Sequence, residues 1–186
     1  MKVIGVIGKN GSGKDEVLKC FRDKYGVPFV ATGDIVREIA AKERLKPTRE
    51  NLQSISDRYF KKYGEGCFVK MAIDKIRENG WNIAGISGVR SPKDVAILRS
   101  ELGNRFILFN VYVSDPHMRF ERMRKRGEGR DAKTYEEFLR QDEGEEKLFN
   151  IEKAAAEADY SVSNDGTLGQ LRQTIDNLVN DDRVLQ

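Results

Sequence analysis

The clearest chemical signal in this sequence is a glycine-rich run that ends in a lysine. The pattern G-x-x-x-x-G-K is typical of a loop that wraps phosphates, because glycines let successive backbone N–H groups turn inward. The lysine would reach the β- and γ-phosphates of a nucleotide, and a helix that starts here adds the positive end of its dipole. We predict that this phosphate loop binds nucleotide through Gly8, Lys9, Asn10, Gly11, Ser12, Gly13, Lys14 and Asp15, with Lys14 also catalytic.

Asp15 departs from the usual pattern. At this position a serine or threonine normally gives its hydroxyl to Mg²⁺, whereas this chain has a carboxylate. A carboxylate is a good ligand for a hard cation, but it brings negative charge close to the phosphates. We therefore predict that ATP and Mg²⁺ are the cofactors and that Asp15 is the metal ligand.

Thr32, Gly33, Asp34 and Arg37 follow the second predicted strand. One interpretation is structural: Thr32 or Asp34 caps a helix and Arg37 is solvated. The other is functional, because ligands bind at the carboxyl edge of open α/β sheets and Asp34 and Arg37 are one helical turn apart. In that case Arg37 holds a phosphate on the acceptor, and Asp34 orients or deprotonates the attacking oxygen.

Gly88 and Arg90 follow the third predicted strand and reach the same edge of the sheet. Two arginines that converge from different loops suit an anionic acceptor, since guanidinium binds phosphate in a bidentate manner. The alternative is that Arg90 is an ordinary turn arginine. We predict a small phosphorylated acceptor bound by Thr32, Gly33, Asp34, Arg37, Gly88 and Arg90.

A basic run with interposed glycines follows the fourth strand. It is either a solvated helix face or a hinged flap that places arginines over the transferred phosphate and excludes water. On the second interpretation Arg126 and Arg130 are catalytic and Arg122 binds nucleotide. The turn at Asn164 either lines an adenine pocket or is purely structural.

Short apolar runs that alternate with amphipathic stretches must position these residues. Strands are predicted at 2–7, 28–31, 81–86, 105–113 and 159–162. Helices are predicted at 14–25, 34–43, 49–63, 68–79, 93–102, 116–126, 135–158 with a break near Gly144, and 168–180. This alternation indicates an α/β fold with a parallel sheet that is covered on both faces.

Composition excludes several other classes of protein. The chain has 186 residues, with 39% hydrophobic and 34% charged residues, and a formal net charge of +3. We therefore expect one domain without a membrane span, and the charge is too small to favour nucleic acid as a partner. Two cysteines and one histidine rule out a disulfide framework or a histidine-based triad and fit a cytoplasmic protein. The oligomeric state stays open.

Taken together, these motifs resemble the P-loop nucleoside monophosphate kinase family, over nearly the whole chain. Thr32-Gly33-Asp34 with Arg37 is similar to that family's monophosphate-binding stretch, and Arg122 with Arg126 and Arg130 is similar to its lid arginines. The stretch from Ala158 through Asn164 is closer to dephospho-coenzyme A kinases, and the combination looks like archaeal adenylate-kinase-related proteins.

The resemblance implies a three-layer P-loop NTPase fold with five parallel strands in the order 2-3-1-4-5. It also implies one kinase domain over 1–186, with a helical acceptor-binding insert at about 34–80 and a lid at about 124–145. The expected activity is transfer of the γ-phosphate of ATP, first of all to a nucleoside monophosphate. Dephospho-coenzyme A, phosphomevalonate and a nucleotide-binding regulator or RNA-associated ATPase are the alternatives.

One departure from the family pattern concerns magnesium. The family has an acidic residue where this chain has Ser87, and a hydroxyl where this chain has Asp15. We therefore expect that the carboxylate and the hydroxyl have exchanged places, so that Asp15 supplies the acid that secures Mg²⁺.

Overall fold

A parallel sheet of five strands organises the part of the chain that the structure describes, residues 1–127, 131–181 and 184–185 of a computed structural model. The strands lie in the order β2-β3-β1-β4-β5, which confirms the predicted fold class and strand order. They are β1 (Lys2–Ile7), β2 (Phe29–Ala31), β3 (Ile83–Ser87), β4 (Phe106–Tyr112) and β5 (Tyr160–Ser163).

Helices connect the strands and cover both faces of the sheet. A 3₁₀ turn, Gly103–Arg105, precedes β4, and several helices begin at a side-chain cap, as α5 does at Ser91. The α-helices are α1 (Lys14–Tyr25), α2 (Thr32–Lys42), α3 (Arg49–Tyr63), α4 (Cys67–Glu78), α5 (Pro92–Leu102), α6 (Pro116–Arg126), α7 (Tyr135–Phe149), α8 (Ile151–Ala155) and α9 (Leu168–Asp181).

β1 is the centre of the sheet because its side chains are apolar on both faces. It pairs with β3 on one side and β4 on the other, and Val3 to Ile7 are buried. On one face α1 and α9 cover a cluster around Ile4 and Phe109, and on the other α2, α4, α5 and α8 cover a cluster around Val3 and Leu108. This arrangement fixes the carboxyl ends of all five strands at one edge.

The helical region before β5 corrects one prediction. The expected break near Gly144 does not occur, and α7 runs through that position to Phe149. The break lies at Asn150, whose φ of 52° is in the left-handed region that asparagine tolerates better than most residues. The same asparagine ends α7 and precedes α8.

The regions predicted as insert and lid fall on helices. The range 34–80 covers most of α2 and all of α3 and α4, and 124–145 covers the end of α6 and most of α7, with 128–130 outside the described residues. Between α6 and α7, a separate apolar cluster contains Phe120, Met123, Ala132 and Phe138. Among the described residues, no helix combines the length and apolar character that a bilayer crossing requires.

Candidate active site

The phosphate loop joins β1 directly to α1, as predicted. Gly13 precedes the helix with φ 88°, and a Cβ atom there would lie 2.2 Å from the Asn164 side-chain nitrogen. Gly11 has φ 77°, and a Cβ atom there would lie 2.5 Å from the Arg119 carbonyl oxygen. Both positions therefore require glycine, and the loop is packed between α6 and the turn after β5.

Lys14 is the first residue of α1 and lies among charges from four other positions. Burial lowers the pKa of its ammonium group, and Asp15 and Glu145 oppose this shift while Arg90 and Arg126 reinforce it. Arg90 comes from the β3–α5 loop, Arg126 from the end of α6 and Glu145 from α7. Three elements thus bring charged side chains to the nucleotide lysine.

Asp15 and Ser87 are in direct contact. The Ser87 hydroxyl donates to Asp15 Oδ1 over 2.5 Å, although the two residues are 72 positions apart. Ser87 is buried at the end of β3, and Asp15 lies in the first turn of α1. Among the described residues no cluster of three metal-ligating side chains occurs. This pair of oxygen donors fits Mg²⁺ nonetheless, because Mg²⁺ commonly takes one carboxylate and completes its shell with phosphates and water.

The two segments predicted to bind the acceptor meet at Thr32 and Gly88. The Thr32 hydroxyl donates to the Gly88 carbonyl over 3.3 Å, and a Cβ atom on Gly88 would lie 2.1 Å from that hydroxyl. Asp34 and Arg37 form an ion pair on the exposed face of α2, beside Gly33. The predicted cap at Thr32 or Asp34 is wrong, since α2 already begins at Thr32 and no side chain caps it, whereas Arg37 is exposed to solvent as that alternative expects.

Arg90 lies in a loop that the start of α5 holds in place. The Asp94 carboxylate accepts from the backbone N–H groups of Arg90 and Ser91, and burial raises the pKa of Asp94 against these hydrogen bonds. The Arg90 guanidinium lies 5.5 Å from the centre of the Phe149 ring. Within the described residues, no carboxylate is within ion-pair distance of it. Arg90 therefore keeps its charge available for a ligand.

The predicted lid arginines differ in their surroundings. Arg122 donates to the Asn164 carbonyl over 2.8 Å, so it lies beside the turn that was predicted to line an adenine pocket. Its Nη1 atom is buried without a hydrogen-bond partner among the described residues. Arg126 forms an ion pair with Asp131 over 2.6 Å. Arg130, predicted as catalytic, lies outside the described residues.

Sequence reasoning missed the contacts that join α7 and α8 to the phosphate loop. Arg119, in the basic run that follows β4, is buried: it pairs with Asp142 over 2.6 and 2.7 Å and donates to the Asn10 carbonyl. The Asn10 amide donates to Glu145 over 2.8 Å, and Lys9 contacts Glu152 over 2.5 Å. Asp142 and Glu145 are three positions apart on α7, and this spacing is the signal that could have indicated that both lie on the same face of the helix.

The sheet order together with a phosphate loop between β1 and α1 defines a P-loop protein of the kinase fold. The sequence profile of a family described as an AAA domain matches residues 7–139. A UPF0200 protein of Thermococcus onnurineus (strain NA1) is 37% identical over 179 residues, which span 95% of this chain and 96% of that protein. The chain therefore belongs to the AAA domain family that this profile describes and to the UPF0200 proteins.

Solved structures agree with this assignment at the level of the fold. A shikimate kinase from Acinetobacter baumannii in complex with shikimate superposes with a TM-score of 0.60 at 19% identity, over 98% of this chain and 95% of that one. A gluconokinase from Sinorhizobium meliloti 1021 superposes with a TM-score of 0.56 at 15% identity, over 100% and 97%. The resemblance to P-loop kinases that the motifs indicated is confirmed.

Proposed function

We propose that this protein transfers the γ-phosphate of ATP to a phosphorylated small molecule, with a nucleoside monophosphate as the first choice. The observation that carries this proposal is that Arg90, from the β3–α5 loop, and Arg126, from the end of α6, are both close enough to Lys14 to lower the pKa of its ammonium group. Phosphoryl transfer needs little covalent chemistry, and depends on positioning and on cations around the moving charge. A site with three converging cations supplies both.

On the donor side, the backbone N–H groups of the phosphate loop and the Lys14 ammonium hold the β- and γ-phosphates. Arg122 lies against the Asn164 turn, and its buried Nη1 atom is free to donate to the nucleotide. Arg126, together with Arg130, is proposed to stabilise charge on the transferred group. The oxygens of Asp15 and Ser87 would hold Mg²⁺, which neutralises phosphate charge when bound.

On the acceptor side, the bound phosphate is proposed to lie between Arg37 and Arg90. Two features support this assignment: the hydrogen bond from Thr32 to Gly88 ties the two segments together, and Arg90 has no carboxylate at ion-pair distance within the described residues. Asp34, which is paired with Arg37, is proposed to orient the attacking oxygen or to take its proton. With a nucleoside monophosphate the attacking atom is an oxygen of the acceptor's phosphate. Its bond to the γ-phosphorus forms as the bond from that phosphorus to the β,γ-bridging oxygen breaks, which leaves ADP, and a proton on the attacking oxygen passes to Asp34.

An ADP-release assay with ATP, Mg²⁺ and a panel of acceptors tests this proposal. The panel contains AMP, CMP, UMP, GMP, the deoxynucleoside monophosphates, dephospho-coenzyme A and mevalonate phosphates. Stimulation of ADP release by one acceptor, lost in Arg90→Met, is the expected result. Slow ATP hydrolysis that no acceptor changes would contradict it and would favour the nucleotide-binding regulator or RNA-associated ATPase.

A further inference from the structure

A cleft of about 540 Å³ lies behind the phosphate loop, between α8 and the carboxyl ends of β4 and β5. Its walls include Ile151 and Ala155 from α8, Asn110 and Tyr112 from β4, and Ser161 from β5. A cleft of this size is typical of small-molecule sites. The phosphate loop contributes Gly8, Lys9 and Ser12 to its lining, whereas Arg122, Asn164, Arg37 and Arg90 of the proposed nucleotide and acceptor sites do not line it.

Polar groups inside the cleft lack protein partners. Ser12 is buried and its hydroxyl has no hydrogen-bond partner among the described residues, although its backbone is bonded on both sides, to Lys9 and Asn164. Asn110 is half-buried, and no hydrogen bond of its side-chain amide occurs within the same residues. A buried polar group without a partner costs free energy, so a ligand or water must satisfy the Ser12 hydroxyl, and the half-buried Asn110 amide is open to the same partner.

Asn110 also interrupts an apolar strand face. On this face of β4, Phe106 and Leu108 are buried in the core, and Asn110 and then Tyr112 follow at the same two-residue period. The Tyr112 side chain is 43% exposed, which leaves its ring available for stacking at the cleft. A planar ring bearing an adjacent donor and acceptor would match the Asn110 amide, as bases match asparagine in other settings.

The cleft is a poor site for an anionic ligand, because the cations that line it are already paired. Lys9 and Arg119 line it, but Lys9 is paired with Glu152 over 2.5 Å and Arg119 with Asp142 over 2.6 Å. Each cation is therefore neutralised by its own carboxylate. The remaining hydrogen-bonding groups are neutral and lie among apolar walls.

We propose that this cleft binds a neutral nucleoside, with the base against Asn110 and Tyr112. Because Ser12 belongs to both the cleft and the phosphate loop, the bound nucleoside changes the affinity of the loop for ATP. By linkage, ATP changes the affinity for the nucleoside by the same factor.

Isothermal titration calorimetry with adenosine, guanosine, cytidine and uridine tests the proposal. The protein is first saturated with a non-hydrolysable ATP analogue and Mg²⁺, which fills the nucleotide site. We expect one of the four nucleosides to bind with 1:1 stoichiometry, and Asn110→Leu to weaken that binding about tenfold or more, since it removes a bidentate contact to the base. Asn82→Leu, at an exposed asparagine before β3, is the matched control and should leave binding unchanged.

Ser161→Leu adds a large side chain to the wall of the cleft at an exposed position and serves as a second variant that does not disturb the core. It should abolish the same binding event. If no nucleoside binds, or if both substitutions leave binding unaffected, the proposal is wrong and water alone satisfies Ser12 and Asn110. An ATP affinity that stays the same at saturating nucleoside would refute the coupling.

Discussion

Exchanging the carboxylate and the hydroxyl at positions 15 and 87 is the sharpest perturbation that the site offers. We expect Asp15→Ser to lose Mg²⁺-dependent turnover and the double variant with Ser87→Asp to recover most of it. The physical reason is the direct contact between the two side chains. The Ser87 hydroxyl oxygen lies 2.5 Å from Asp15 Oδ1, so the exchange moves the carboxylate by about one hydrogen-bond length.

The expected loss of magnesium affinity follows from the proposed role of the Asp15 carboxylate as a metal ligand. Loss of one oxygen ligand, or of the group that orients it, typically costs 10–100-fold in metal affinity, or about 1.4–2.7 kcal/mol. Asp15 also raises the pKa of Lys14 against the effect of burial, so its removal lowers that pKa further. As pH rises, Lys14 should therefore lose its proton earlier in Asp15→Ser, and nucleotide binding should weaken at a lower pH than in the natural protein.

Two measurements distinguish the loss of a magnesium ligand from the loss of a negative charge in Asp15→Ser. One is turnover across a magnesium titration, and the other is calorimetric ATP affinity with and without Mg²⁺. Glu16→Ser is the control, because it removes a carboxylate from the next position of α1, where Glu16 contacts Lys19. If the double variant stays as inactive as Asp15→Ser, or if Glu16→Ser loses as much magnesium dependence, the exchange hypothesis is refuted.

Three further changes test other contacts. Arg119→Met should cost about 3–5 kcal/mol in urea unfolding because it leaves the Asp142 carboxylate, which is 13% exposed, without its partner, whereas the exposed Arg124→Met should change stability by less than about 0.5 kcal/mol; equal losses would contradict this. Burial and the bond to Asp176 raise the pKa of Tyr25 to about 12. Its stability advantage over Tyr25→Phe, about 1 kcal/mol, should be complete below pH 10 and vanish as pH rises through 12, in unfolding curves across that range. Arg90→Met should raise the acceptor KM about 10–100-fold and leave ATP affinity unchanged; a matching loss of ATP affinity would place Arg90 on the donor side instead.

Local patterns sufficed to predict the strands and the phosphate loop. The predicted bounds of β1 (Lys2–Ile7) and α1 (Lys14–Tyr25) match those in the structure. An apolar run, a glycine loop and an amphipathic helix each have a short-range sequence signature, which is why they could be predicted. The order of the strands came from the family resemblance, since nothing in local periodicity determines which strands pair.

The contacts of α7 and α8 with the loop could not be predicted in the same way. Arg119 is buried because Asp142 meets it from a helix 23 residues away, and hydropathy alone places an arginine in solvent. The end of α7 at Asn150 depends on one residue adopting positive φ, whereas Gly144, the stronger breaker in sequence, stays helical. The link between Asp15 and Ser87 came from the family resemblance, whereas their direct hydrogen bond depends on the β1–β3 pairing, which no local pattern indicates.

The most direct measurement of the central claim follows the γ-phosphate itself. The protein is incubated with γ-³²P-labelled ATP, Mg²⁺ and each acceptor of the panel, and the products are separated by thin-layer chromatography. Our account predicts that the label appears on one acceptor and that Lys14→Met abolishes this transfer. Label recovered only as inorganic phosphate, with every acceptor present, would contradict the account.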